Sequence, residues 1–208
     1  VAGGTLAGNG TFGPVSIDPA APSFLSPGNS PGMMTLSRLE AVDESGIPPA
    51  LVLEIAGPAV PGTFHDQIVV NGSVDLPDSS QTQLSLSLVG GFVPLTGTTY
   101  TLLSKTTPGP INGFLHDGAS AILENQAKII SGVTFRFSYA GGDGNDFTAT
   151  VIASPAGAFR VWDGGGSDDN WTTAANWQNA TAPQTTENLR FPAGAARTTN
   201  INDFPVDT

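Results

Sequence analysis

Residues Gly141 to Asp146, Gly-Gly-Asp-Gly-Asn-Asp, match the first six positions of the calcium-binding nonapeptide G-G-x-G-x-D-x-U-x. Asp143 and Asp146 would be its oxygen donors. Calcium takes about six to eight oxygens, and the nonapeptide supplies them by stacking tandem copies. This chain carries one copy, and Thr148 stands where a large apolar residue belongs. The expectation is therefore a hairpin loop, in which Gly141, Gly142 and Gly144 allow positive φ while Asp and Asn close the turn. A second acidic loop, Asp163 to Asn170, offers Asp163, Asp168 and Asp169. It lacks the residue order and terminal Glu of an EF-hand, and is expected to be a solvated loop. No metal or cofactor is assigned.

Three tryptophans, Trp162, Trp171 and Trp177, lie close together in sequence. Their faces could stack on sugars, or they could anchor a small cap with their indole N–H groups bonded. The second is the expectation. The two histidines, His65 and His116, are each followed by an aspartate, Asp66 and Asp117. Adjacent residues of a strand point to opposite faces, so neither pair is a dyad. No G-x-S-x-G element is present, and both histidines are expected at the surface or in turns. Cleavage of a polysaccharide would need a cleft with at least one basic residue and two carboxylates. With seven basic residues in 208 and scattered acids, no catalytic residue is expected.

The elements that must carry these residues read as strands. Gly and Pro together make up about a fifth of the chain, 26 and 17 residues of 208. Ala50–Ile55, Gln67–Leu76 with Asn71-Gly72 at its centre, Gln81–Val89, Thr98–Ser104, Val133–Tyr139 and Phe147–Ile152 all carry strand signals. Val133, Phe135 and Phe137 fall on one face, and Phe147–Ile152 is placed to pair back on them. Ala119–Ile130 holds no clean helical stripe and reads as two short strands, or a strand and a turn. In the first 17 residues Leu6, Phe12, Val15 and Ile17 recur between glycines, a pattern that suits the rungs of a solenoid. The opening "VAGGTLAGNG" reads as the middle of a repetitive structure. Pro155 and Gly157 mark a boundary.

Net charge is −11, with 12% charged residues and no cysteine. A chain without a cationic stripe is a poor partner for nucleic acid or an anionic membrane. Cysteine nucleophiles, thiolate zinc and disulfides are excluded. No stretch is long and apolar enough for a spanning helix. A surface polar mainly through Ser, Thr, Asn and Gln suits an extracellular β protein.

Four stretches carry a family likeness. They are "SPGNSPG" (26–32), "PGTFHDQIVVNGSVDL" (61–76), "FRFSYAGGDGNDFTATV" (135–151) and "WDGGGSDDNWTTAANW" (162–177). In this order they resemble the autotransporter-associated β-strand repeat proteins, large secreted or surface proteins of bacteria. The resemblance implies an all-β fold, a right-handed β-helix or β-solenoid with a sandwich or hairpin continuation and little or no helix. It also implies that residues 1–154 end one repeat at the GGDGND hairpin. Residues 155–208 would then begin the next, docked on a neighbouring repeat or subunit. The function expected is non-catalytic and structural or adhesive: a building block of a cell-surface adhesin or fibre, joined head to tail by strand addition. Its partners would be copies of itself, with cell-surface polysaccharide as a further partner. The alternatives are a polysaccharide-binding module using tryptophans, and a β-helix lyase or hydrolase.

Overall fold

A computed structural model describes residues 1–28, 31–44, 46–155, 159–183 and 187–205, except the side chain of Asn179. Strands dominate, and the described residues contain three short 3₁₀ turns and no α-helix. In chain order the strands are β1 (Gly4–Gly8), β2 (Gly10–Ile17), β3 (Ser23–Pro27), β4 (Met33–Ala41), β5 (Ala50–Ile55), β6 (Gln67–Val70), β7 (Val74–Leu76), β8 (Gln83–Leu88), β9 (Thr99–Lys105), β10 (Asn112–Gly113), β11 (His116–Asp117), β12 (Ser120–Ala121), β13 (Ala127–Ile130), β14 (Val133–Gly141), β15 (Asp146–Ala153), β16 (Phe159–Val161) and β17 (Asn188–Arg190).

From β1 to β15 the chain passes between two sheets, and β16 and β17 pair in parallel as a third, two-stranded one. Sheet A has the order β1-β3-β5-β8-β11-β12, and sheet B the order β10-β7-β4-β6-β9-β15-β14-β13, with β2 also on β4. Both sheets are mixed. The pairs from β1 to β8 in sheet A, and those joining β2, β4, β6, β7, β9 and β10 in sheet B, are parallel. The β11–β12 hairpin and the β9–β15–β14–β13 run are antiparallel. Asn71-Gly72 marks the break that splits one line of sheet B into β6 and β7, both of which pair with β4.

Parallel register turns the alternating apolar residues into columns. Leu6, Leu25, Leu51 and Leu84 stand in line in sheet A. Phe12, Leu36 and Val70, and likewise Val15, Leu39 and Val74, stand in line in sheet B. The middle members of each column are fully buried. Burial of one such side chain is worth about 1.5–3 kcal/mol, so these columns are the main cohesive force. The antiparallel end is closed by aromatic rings instead. Phe137 stacks on Phe147 at 5.4 Å, and Tyr139 lies 4.7 Å from Phe147.

The strand expectations hold for each segment named above, including two short strands, β12 and β13, within Ala119–Ile130. Residues 29–30 of the "SPGNSPG" turn and 156–158 of the boundary lie outside the described residues. The glycines flanking that turn are described. A Cβ on Gly32 would lie 2.1 Å from the Gly28 Cα and 2.4 Å from Asn9 Oδ1. The two glycines therefore pack backbone against backbone. Gly32→Ala is expected to destabilise the chain by about 3 kcal/mol or more, because backbone must move. Gly13→Ala, where a Cβ meets nothing within 4 Å, should stay within about 0.5 kcal/mol of the parent. Urea denaturation of both variants measures the contrast.

Candidate functional site

The GGDGND segment forms the turn between β14 and β15. Its two aspartates do not converge. Asp146 is buried, and its Oδ1 accepts the Lys105 backbone N–H at 2.8 Å. Its Oδ2 lies where a Gly142 Cβ would be, 2.1 Å away, which is why that position is glycine. Asp143 is exposed, on the rim of a groove of about 510 Å³ shared with Thr106, Pro108, Gly109 and Asn145. Beside this loop three carbonyls already hold a cation, and it is a side chain. Lys105 is 3% exposed, and its Nζ donates to the carbonyls of Thr107 (2.6 Å), Pro108 (2.9 Å) and Gly109 (2.9 Å). Asn145 Nδ2 donates to the same Thr107 carbonyl at 2.7 Å.

Lys105 stands in register with Val70, at the position where the column of Phe12 and Leu36 would continue. An ammonium forced into an apolar column must be solvated by protein, and the 107–109 turn does it. Among the described residues no group of three or more His, Asp or Glu is disposed to hold a metal. Lys105 was not foreseen. Its signal is a lysine that ends an apolar strand and runs into Thr-Thr-Pro-Gly-Pro, a turn rich in outward carbonyls.

A second polar cluster joins the two sheets where β5 leads into β6. Asp66 is 1% exposed. Its Oδ1 accepts the Gly32 N–H at 2.6 Å and its Oδ2 the Glu54 N–H at 2.9 Å. The Asp66 N–H returns to the Glu54 carbonyl, and the Gln67 N–H to the Gly32 carbonyl. The "PGNSPG" and "HDQIVV" stretches thus meet through one carboxylate. Burial, with a smaller push from the Glu54 charge, raises Asp66 from 3.8 to about 6 against the lowering pull of its two N–H donors.

The histidines correct the surface expectation, since both are buried. His65 packs edge-on against Tyr100 at 5.2 Å, and burial lowers its pKa below 6.5. His116 is 4% exposed, 3.6 Å from Asp78 Oδ1, and neither ring nitrogen makes a hydrogen bond. Each lies on or beside a strand packed by its neighbours, and strand burial overrides the polarity that suggested a turn.

The tryptophan segment is a small aromatic box. Trp162 and Trp177 are buried and meet edge-on at 5.2 Å, while half-buried Trp171 and exposed Phe191 lie 5.4 Å apart. All three indoles donate: Trp162 to the Arg197 carbonyl, Trp171 to Asn200 Oδ1 and Trp177 to the Trp171 carbonyl. Bonded indole N–H groups and two buried rings agree with that part of the anchoring expectation, while Trp171 is buried less than expected. The acidic loop is folded around buried Asn176, whose Nδ2 reaches the Asp168 and Asn170 carbonyls and Asp168 Oδ1. Asp168 also accepts from the Asn170 N–H and the Thr173 hydroxyl, which hold its pKa below 3.8. Fully buried Arg160, paired with Glu187 at 2.7 Å, reaches the Thr96 carbonyl at 3.5 Å and ties this segment to the sheets.

One cleft, about 400 Å³, gathers a basic residue and several carboxylates: Arg38, Glu40, Asp43 and Asp75. It runs along the outer face of sheet B, where Ser16, Glu40, Asp75 and Asn112 are in register. Glu40 pairs with Arg38, and Asp75 accepts from Asn112 Nδ2 at 2.7 Å. No family model matches the chain, and no curated protein or solved structure matches it.

Two outcomes are expected. Lys105→Met strips the Pro108 and Gly109 carbonyls of the Lys105 donor and leaves Thr107 with Asn145 alone, and should cost about 2–4 kcal/mol in urea denaturation, while excess calcium should leave the melting temperature of the parent chain unchanged. For pH, a raised acid in the folded state binds its proton before the unfolded chain does. The Asp66 penalty, about 3 kcal/mol at neutral pH, is therefore relieved as pH falls from about 6 towards 3.8. Stability should rise over that window. It should fall again below 3.8, as Asp168 and Asp203, both held low, take up protons. Asp66→Asn should remove most of the rise, read as the denaturation midpoint against pH.

Proposed function

We propose that this chain is a β-solenoid segment of an extracellular structural or adhesive protein, a non-catalytic building block of a bacterial surface assembly. The observation that carries the reading is the alternation of strands between two sheets with parallel, in-register apolar columns. That is the pattern by which stacked coils bury a continuous core. The corner clamp at Asp66 and the loop around Asn176 fall on the very stretches that resemble the autotransporter-associated repeats. The carboxylates of both motifs are spent on backbone and side-chain donors.

A second reading, cleavage of polysaccharide, rests on the Arg38–Glu40–Asp43–Asp75 cleft, which meets the residue count such chemistry needs. Its two in-register acids are both partnered, which favours the structural reading. Two measurements decide. A chain lacking residues 1–17 should still fold, with a cooperative melt at lower temperature, because a stack of coils loses stability unit by unit; complete loss of folding would sink the solenoid reading. Incubation with acidic and neutral polysaccharides should yield no new reducing ends or unsaturated products. Activity abolished by Glu40→Gln would instead establish the enzyme.

A further inference from the structure

We propose that the chain cross-links itself: the Lys105 amine attacks the side-chain amide of Asn145, and an isopeptide bond forms as ammonium leaves. This bond goes beyond the solenoid reading and does not rest on it. Lys105 ends β9 and is buried. Asn145 is 6% exposed and immediately precedes β15, which pairs antiparallel with β9. Lys105 Nζ and Asn145 Nδ2 donate to the same carbonyl, that of Thr107, at 2.6 and 2.7 Å. The amine therefore lies within two hydrogen bonds of the amide it attacks, and such proximity is the larger part of what an intramolecular reaction needs.

The other polar atoms of the cluster are disposed for the exchange. Asn145 Oδ1 is buried and makes no hydrogen bond, an orphan of a kind that native interiors rarely keep. The remaining acceptors of Nζ are the carbonyls of Pro108 and Gly109, both exposed residues. Water can replace the lysine there, which frees the flexible end of the side chain to turn onto the Asn145 Cγ. Asp146 supplies an acid beside both reactants. It follows Asn145 in the chain, is buried, and accepts the Lys105 backbone N–H at 2.8 Å. Burial raises its pKa against the pull of that N–H, which suits a group that takes a proton and hands it on.

The step balances without an oxidant or a co-reactant. The lysine ammonium gives up two protons, its lone pair adds to Cγ and forms the new C–N bond, and the Cγ–Nδ2 bond breaks. The leaving nitrogen takes up those two protons, relayed through Asp146, and departs as ammonium. The product suits the position better than the reactants do. Lys105 is in register with Val70, where an apolar column would continue, and a neutral amide costs less to bury there than an ammonium. The bond closes a loop that holds β10 to β14. It restricts the unfolded chain as a disulfide would, in a protein that has no cysteine.

Intact-mass spectrometry of the purified 208-residue chain tests this. The expected mass is one ammonia below that of the sequence, and a proteolytic digest should yield a branched peptide joining Lys105 to Asn145. Lys105→Arg and Asn145→Ser should each show the full mass of their own sequence. Asp146→Asn should slow linking at least about tenfold, read as the linked fraction against time. The Asn-Gly steps at Asn71 and Asn112 can also lose ammonia by cyclising, so the branched peptide decides between the two sources. A parent chain of full mass, a deficit that survives Lys105→Arg, or a digest without the branched peptide would each overturn the bond. Unslowed linking in Asp146→Asn would overturn the relay. The melt of the chain lacking residues 1–17 is read separately, so a missing bond and a failed solenoid reading are told apart.

Discussion

The Asp66 carboxylate is the constraint on which the corner between the sheets depends. It is buried, so it is costly, and the cost is about 3 kcal/mol at neutral pH. That cost is what remains after the lowering pull of the two backbone N–H donors on the carboxylate. The value of the carboxylate lies in where the donors come from. Gly32 leads into β4, and Glu54 is on β5. One side chain therefore fixes how two successive passes of the chain lie over each other. The columns of leucine and valine can only form if that register is held.

The same device recurs at the closed end. Asp146 takes a backbone N–H from Lys105, and Lys105 caps three carbonyls of its own turn. Both sit where the aliphatic columns stop and the aromatic layer of Phe137, Phe147 and Tyr139 begins. Apolar packing has no direction and cannot by itself end a stack of strands. Polar groups aimed at particular backbone atoms can, because leaving any one of them unpaired in the interior costs about 1–3 kcal/mol.

Much of this architecture was legible in the sequence. Strand signals placed β5, β8, β9, β14 and β15, with apolar residues alternating onto one face in β8 and β14, and the glycine-spaced apolar residues near the start placed β1 and β2. The GGDGND hairpin was readable because its missing second copy and Thr148 spoke against a metal. Three features were not readable. Local sequence makes His65 and His116 polar turn residues; only the packing of Tyr100 and neighbouring strands buries them. Lys105 reads as a strand-end surface charge until register places it over Val70. The Arg38–Glu40–Asp75–Asn112 cleft draws on three strands, so only cross-strand register gathers it.

The disposition of the acids bears on function more than any motif does. A carboxylate that works on a substrate must keep a lone pair free, or a proton it can give up at the working pH. Asp66 and Asp146 each accept a buried backbone N–H, Asp168 is bonded to Asn170, Thr173 and Asn176, and Asp203 is bonded to Thr172. Glu187 is held by two nitrogens of Arg160. Asp66 and Asp146 have exchanged water for protein donors, while Asp168 is half-buried and Asp203 exposed, and a substrate would have to displace protein donors to reach any of them. Burial of that kind makes a chain hold its shape, and it supports the reading of a structural unit. Reactive freedom would have to be sought on the outer face of sheet B, where acids stay near solvent and their partners are exposed side chains.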